Sequence, residues 1–174
     1  MHAVQPSARR QIAVAALILA VIAVIATVGS LATVDSANGW YADARKVAWN
    51  PPNTVFGPAW SILYVLVAAA GFLIWRSGYL GRGRRNQARP ALRVYALQLA
   101  LNGLWTPVFF AGYPVLGRAA WWAAMVIILA LILAVGWLIA LAARRSRAAA
   151  WLLAPYFIWL VFASSLNAGI IALN

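Results

Sequence analysis

Aromatic and amide side chains recur at helical spacing in three apolar segments of the chain, and they are its most promising chemical groups. Residues three or four apart share one helix face. Amides within apolar helices need partners and normally face the interior of a bundle, so they would carry the neighbouring indoles inward. Two interpretations stay open from spacing alone, namely amides that join helices and amides that line an aromatic pocket. The three stripes are Asn53, Phe56, Trp60 and Tyr64; Gln98, Asn102, Trp105 and Phe109; and Tyr156, Trp159, Ala163 and Asn167.

Groups that could perform acid–base, nucleophilic or metal chemistry are scarce. The chain has no cysteine, which excludes disulfides, thiol nucleophiles and iron–sulfur clusters. Its single histidine, His2, stands near the N-terminus and is not expected to bind a metal. With only two acids, Asp35 and Asp43, general acid–base catalysis has almost no residues to use. We therefore expect no catalytic residue, no metal and no resident cofactor.

The elements that carry these stripes are predicted to be membrane-spanning helices. Of the 174 residues, 66% are hydrophobic and 9% charged, whereas a soluble domain has about 25% charged residues. Five segments meet the length of roughly 20 mostly apolar residues that a span needs. The first is longer than the apolar core of a signal peptide, about 7–15 residues, and is predicted to be a retained helix. The sequence thus predicts an all-α, single-domain bundle of five transmembrane helices over residues 1–174, with spans Ile12–Val34, Val55–Trp75, Ala91–Phe110, Ala119–Leu141 and Ala148–Leu173.

Charge predicts how the spans are oriented. The net charge is +12, but the basic residues form short clusters between apolar runs, which favours an anionic membrane surface over nucleic acid as the partner. Most of them fall at residues 9–10, 76–93 and 144–147. By the positive-inside rule the N-terminus is cytoplasmic and the C-terminus outside. Four tryptophans at span ends are predicted to anchor in the headgroup region: Trp75, Trp121, Trp122 and Trp151.

Three motifs, in order and on separate segments, resemble one known family. They are Trp40-Tyr41 with Trp49-Asn50-Pro51-Pro52 and Val55-Phe56-Gly57-Pro58-Ala59-Trp60; Gln98-Leu99-Ala100-Leu101-Asn102-Gly103-Leu104-Trp105-Thr106-Pro107; and Pro155-Tyr156-Phe157-Ile158-Trp159 through Asn167-Ala168. From about Trp40 to the C-terminus the chain resembles the TspO/MBR family, the tryptophan-rich sensory proteins related to the mitochondrial translocator protein.

The resemblance implies a five-helix bundle, often a homodimer, with a pocket beneath the first loop. It implies binding of porphyrins such as protoporphyrin IX and, in some members, of cholesterol. Two departures concern Val47, where the family usually has proline, and the C-terminal segment, which lacks the aromatic and basic residues of the family's sterol motif. Carried over by motif, the ligand-binding residues are Tyr41, Trp49, Trp60, Asn102, Trp105, Trp159 and Ala163.

The leading hypothesis is a membrane receptor or regulator that binds tetrapyrroles in the outer half of the bundle, because indoles recognise a flat apolar macrocycle by stacking and burial. Trp60 and Trp105 lie about 8–9 Å from the outer ends of their spans by helical rise, below the loop of Tyr41 and Trp49. A transporter of porphyrins or similar amphiphiles is the alternative. A third hypothesis is light-dependent porphyrin breakdown with Trp60 or Trp159 as redox partner.

Overall fold

The computed structural model describes residues 6–79 and 86–174, and all regular structure in these two ranges is helical. Each of the five predicted spans lies within one long helix, which confirms the all-α prediction. Two further helices are short and lie in the connections. No strand occurs in either described range. The seven helices are α1 Ala8–Asn38, α2 Trp40–Asp43, α3 Asn53–Ser77, α4 Arg89–Phe110, α5 Tyr113–Leu116, α6 Arg118–Ala143 and α7 Arg147–Leu173.

Within the described ranges, four helices are long and apolar enough to cross a membrane by length and composition, namely α1, α3, α6 and α7. Helix α4, which contains the third predicted span, does not meet that criterion. Its polar residues Gln98 and Asn102 lower its hydropathy, yet both are buried, at 0% and 5% exposed. The composition of α4 therefore reflects contact with other helices more than contact with lipid.

The five long helices form a closed ring in cross-section. Helix α4 packs against α6 and α1, α7 packs against α6 and α3, and α1 closes the ring against α3. Leu131 and Leu138 of α6 and Leu153 and Leu160 of α7 belong to one buried cluster, where each is at most 1% exposed. Helix α1 is peripheral, because only Ile22 and Ser36 on it are buried.

The two ends of the bundle differ in composition. One end, here called the loop end, holds α2, α5, residues 44–52 and the C-termini of α1, α4 and α7. The other, here called the arginine end, holds Arg76, Arg89 and residues 144–147. Arg82, Arg84 and Arg85, also assigned to that end by the sequence, lie outside the described residues, as does His2.

The C-terminus of α4 anchors the loop end. The carbonyl of Phe110 accepts hydrogen bonds from Ser36 Oγ at 3.1 Å and from Trp40 Nε1 at 3.2 Å, which satisfies one of the free carbonyls at a helix end. The Trp121 ring stacks on Tyr113 with centroids 4.4 Å apart and is 2% exposed. The prediction that Trp121 anchors in the headgroup region was therefore wrong, because neighbouring helices cover its ring. The same prediction was wrong for Trp75, whose ring is also buried.

Candidate ligand-binding cavity

A cavity of about 530 Å³ lies inside the loop end, between α1, α3, α4 and α7 and beneath α2. Its wall is dominated by aromatic rings contributed by four different helices. These rings come from the first turns of α3, the last turns of α4 and the middle of α7, and from α2 above them. The aromatic lining consists of Tyr41, Phe56, Trp60, Tyr64, Trp105, Phe109, Phe110 and Trp159.

Edge-to-face contacts hold the indoles of the α3–α7 wall. The ring centroids of Trp60 and Trp159 are 6.4 Å apart with the planes at 81°. Phe56 contacts Trp159 in the same manner at 6.0 Å and 75°. On the opposite side Trp105 stacks on Phe109 at 5.3 Å and 16°. Such pairs are favourable beyond their buried area, so the wall is a set of rings that brace one another.

The wall supplied by α1 was not predicted from the sequence. This helix lines the cavity with small and hydroxyl residues, in contrast to the aromatic rings opposite. The signal that could have identified this wall is their recurrence three or four residues apart, which places them on one helix face. They are Ala26, Gly29, Ser30, Thr33 and Ala37.

Of the seven sequence-predicted site residues, the fold brings five together around the cavity: Tyr41, Trp60, Trp105, Trp159 and Ala163. Trp49 and Asn102 are not among the lining residues. Trp49 lies outside the bundle, 58% exposed, and its indole N–H donates to Ser165 Oγ at 3.2 Å.

Asn102 lies below the cavity in a hydrogen-bonded bridge across three helices. Its Oδ1 accepts from the Tyr64 hydroxyl at 3.2 Å, and its Nδ2 donates to the Tyr156 hydroxyl at 2.8 Å. Tyr64 lines the cavity, whereas Asn102 and Tyr156 are 5% and 1% exposed. The bridge thus forms the floor of the cavity on the side of the arginine end.

Tyr41 of α2 forms part of the roof. It is 7% exposed, and its hydroxyl donates to Asn50 Oδ1 at 3.2 Å. Burial raises the pKa of Tyr41 above its ordinary value, so the hydroxyl stays a neutral donor near neutral pH. The Lys46 ammonium lies 4.8 Å from the Tyr41 ring centroid and donates to the carbonyls of Ala42 and Ala44 at 3.1 Å.

Residues 44–52 lie along the last turns of α7. Val47 packs onto the backbone of α7 at Gly169, where a Cβ would overlap the Cγ1 methyl of Val47. Arg45 is bonded to Asn174 through its backbone N–H and carbonyl. Val47 therefore holds this segment against α7 by a side-chain contact.

Several buried polar atoms around the cavity have no hydrogen-bond partner in the part of the chain that the structure describes. They are Nε1 of Trp105, Nε1 of Trp159 and Oδ1 of Asn167, and all three residues line the cavity. No group of three or more His, Cys, Asp or Glu residues suited to a metal occurs in residues 6–79 and 86–174. The arrangement is suited to enclosing a largely apolar, flat molecule and orienting it with a few hydrogen bonds.

Comparison with known proteins gives consistent matches along most of the chain. The profile of the TspO/MBR family matches residues 16–173. The chain is 38% identical over 157 residues to the tryptophan-rich protein TspO of Archaeoglobus fulgidus, covering 90% of this chain and 94% of that protein. It is 37% identical over 132 residues to the human translocator protein, covering 74% and 70%. To the tryptophan-rich sensory protein of Cereibacter sphaeroides it is 36% identical over 154 residues, covering 86% and 84%.

Proposed function

The chain belongs to the TspO/MBR family, and from this premise we propose that it is a receptor or regulator that binds a tetrapyrrole of the protoporphyrin IX type in the loop-end cavity. Its family and its apolar helices make it a multi-pass membrane protein. The human relative is named translocator protein, and that name states a function of the human protein only.

The observation that carries the proposal is the aromatic cavity itself. Its volume of about 530 Å³ falls within the range of roughly 300–1,000 Å³ typical of small-molecule pockets. Trp60 and Trp105 lie on different walls, on α3 and α4, and offer flat apolar surfaces to a macrocycle. Stacking and burial of such a ring would supply most of the binding free energy.

The acidic substituents of a porphyrin need cations or water, since an unpaired buried carboxylate is costly. Lys46 contacts Tyr41, which is part of the cavity wall, and Arg45 is the residue before Lys46 in the chain. We propose that the acidic edge of the ligand lies toward these two residues. The indole N–H groups of Trp105 and Trp159, which have no partner in the described chain, would then be donors for the ligand's interior edge after small rotations.

The proposal includes a topology of five spans, with α4 as the fifth helix that crosses the membrane. Helix α4 has 22 residues, long enough for the hydrocarbon core, and its amide side chains Gln98 and Asn102 are buried within the bundle. The arginine end would be cytoplasmic by the positive-inside rule. The N-terminus is then inside, the C-terminus outside, and the cavity lies in the outer half of the bundle.

Binding is favoured over transport by the floor of the cavity. The Tyr64–Asn102–Tyr156 bridge separates the cavity from the arginine end, and a continuous path would require it to open. Porphyrin uptake into sealed proteoliposomes tests the alternative. Uptake faster than in empty vesicles would favour a transporter.

Light-dependent porphyrin breakdown is a second candidate, favoured by the contact between the Trp60 and Trp159 rings on one cavity wall. An indole next to a bound pigment is positioned to act as its redox partner. Irradiation of the porphyrin complex tests this role. Loss of the porphyrin spectrum that continues unchanged in Trp60→Phe with Trp159→Phe would exclude these indoles from the reaction.

The binding proposal is tested by titrating the detergent-solubilised protein with protoporphyrin IX and following tryptophan fluorescence. We expect saturable quenching at micromolar ligand. Trp60→Leu should weaken binding, whereas Trp151→Leu, at a ring 77% exposed on the arginine end, should not. Quenching that does not saturate, or equal effects of the two variants, would contradict the proposal.

A further inference from the structure

A second cavity, of about 340 Å³, lies at the arginine end between the start of α4 and the end of α6. Ala88, Ala91 and Leu141 give it an apolar side. Arg144 and Arg145 lie on its polar side. Both guanidinium groups belong to exposed residues, so the cavity joins an apolar recess to two accessible cations.

No acidic side chain of this protein is available to these arginines. The only two acids, Asp35 and Asp43, lie at the loop end, in the last turn of α1 and in α2. Arg145 instead donates to the neutral amide oxygen of Gln87 at a long 3.4 Å. No acidic side chain of the protein therefore neutralises the two guanidinium groups beside the recess.

We infer that this cavity binds the phosphate-bearing headgroup of an anionic phospholipid. Guanidinium groups bind phosphate through paired, charge-assisted hydrogen bonds. The apolar side would receive the beginning of the acyl chains. The cavity lies where α6 ends at Ala143 and α4 begins at Arg89, which is the depth at which headgroups surround a transmembrane helix. Basic recesses between helices are a recurrent form of anionic-lipid site.

The inference is tested by thermal unfolding of the full chain in mixed micelles that contain phosphatidylglycerol or phosphatidylcholine, without porphyrin. We expect phosphatidylglycerol to raise the midpoint of unfolding, because a ligand of the folded state stabilises it. Arg144→Gln with Arg145→Gln should lose most of this increase. The matched control, Arg9→Gln with Arg10→Gln, removes the same charge at the same end of the bundle outside the cavity and should keep most of it.

Three outcomes would overturn the inference. They are equal midpoints in the two lipids, equal losses in the two double variants, and reproduction of the lipid effect by inorganic phosphate alone, which would make a free anion the ligand. Should the Arg144 and Arg145 variant not fold, Leu141→Trp keeps both charges while filling the recess. It is expected to lose the preference for phosphatidylglycerol, and a retained preference would also overturn the inference. Because porphyrin is absent, failure here is independent of the proposed tetrapyrrole binding.

Discussion

The side chain of Asn174 and the backbone of Arg45 form a reciprocal pair of hydrogen bonds. Oδ1 of Asn174 accepts from the Arg45 N–H at 2.9 Å, and Nδ2 donates to the Arg45 carbonyl at 3.0 Å. The same Nδ2 also donates to the carbonyl of Ile170 at 2.9 Å. One amide thus connects helix α7 to the segment that follows the roof residue Tyr41.

Asn174→Ala is expected to loosen residues 44–52 without unfolding the helices. Loss of about 1 kcal/mol of hydrogen bonding corresponds to roughly fivefold more frequent opening. Hydrogen exchange measured by mass spectrometry on peptides from this segment tests the prediction. Ser164→Ala is the control, because Ser164 Oγ donates to the carbonyl of Val161 within α7 and makes no hydrogen bond to residues 44–52 in the described structure. Equal protection of the segment in the two variants would show that Asn174 does not hold it.

Gly169→Ala is expected to destabilise the protein by about 1–3 kcal/mol, the usual cost of overpacking, because the new methyl overlaps Val47. Adding Val47→Ala in a double variant should restore much of the lost stability, since the two residues are in contact. Thermal unfolding measures both variants.

The matched control for Gly169→Ala is Gly57→Ala. A Cβ at Gly57 meets nothing within 4 Å, so this change should be neutral or stabilise helix α3 by about 0.4–1 kcal/mol. Additive effects of Gly169→Ala and Val47→Ala would mean that the loss at Gly169 does not arise from the contact with Val47.

Ala163→Phe is expected to weaken protoporphyrin binding at least about tenfold, or about 1.4 kcal/mol, because the ring would occupy the cavity that Ala163 lines. Fluorescence titration measures the affinity. Ala168→Phe adds the same ring at an exposed position of α7 and should leave the affinity unchanged, as should Arg144→Gln at the opposite end. Loss of binding in Arg144→Gln with normal binding in Ala163→Phe would place the ligand at the arginine end of the bundle and contradict the proposal.

Asn102→Leu is expected to lower the stability by about 1–3 kcal/mol, because the hydroxyls of Tyr64 and Tyr156 lose their partner in a buried site. The porphyrin affinity should change little, since Asn102 lies in the floor. Thermal unfolding and porphyrin titration of the same variant distinguish a structural role of Asn102 from a role in ligand binding. A large loss of affinity at unchanged stability would assign Asn102 to the ligand and favour the pocket interpretation of its stripe.

Gln98→Leu changes an amide one turn away on the same helix and is expected to affect stability in the opposite direction to Asn102→Leu. Both amide atoms of Gln98 are buried with no partner in the described residues. Replacing an unsatisfied amide by an apolar side chain of similar size removes a desolvation penalty. We therefore expect this variant to be neutral or more stable in thermal unfolding. Equal destabilisation by the two changes would indicate that Gln98 also bonds to a partner.

The sequence by itself determined where the five long helices lie and which faces with amides turn inward. Apolar length and the positions of Gln98, Asn102 and Asn167 depend only on local composition and on the 3.6-residue period, and all three amides are buried. The motifs around Trp60, Trp105 and Trp159 were sufficient to identify the family. These features can be predicted because each depends only on residues within one segment of the chain.

Only the tertiary structure decided which helix faces which. Trp49 and Asn102 belong to the right motifs, yet one lies outside against Ser165 and the other in the floor with Tyr64 and Tyr156. The wall formed by α1 was missed because its small residues acquire a role only when α3 and α4 lie opposite them. A helical period fixes the direction of a side chain relative to its own axis, whereas its neighbours depend on how distant segments pack, and that is a property of the whole bundle.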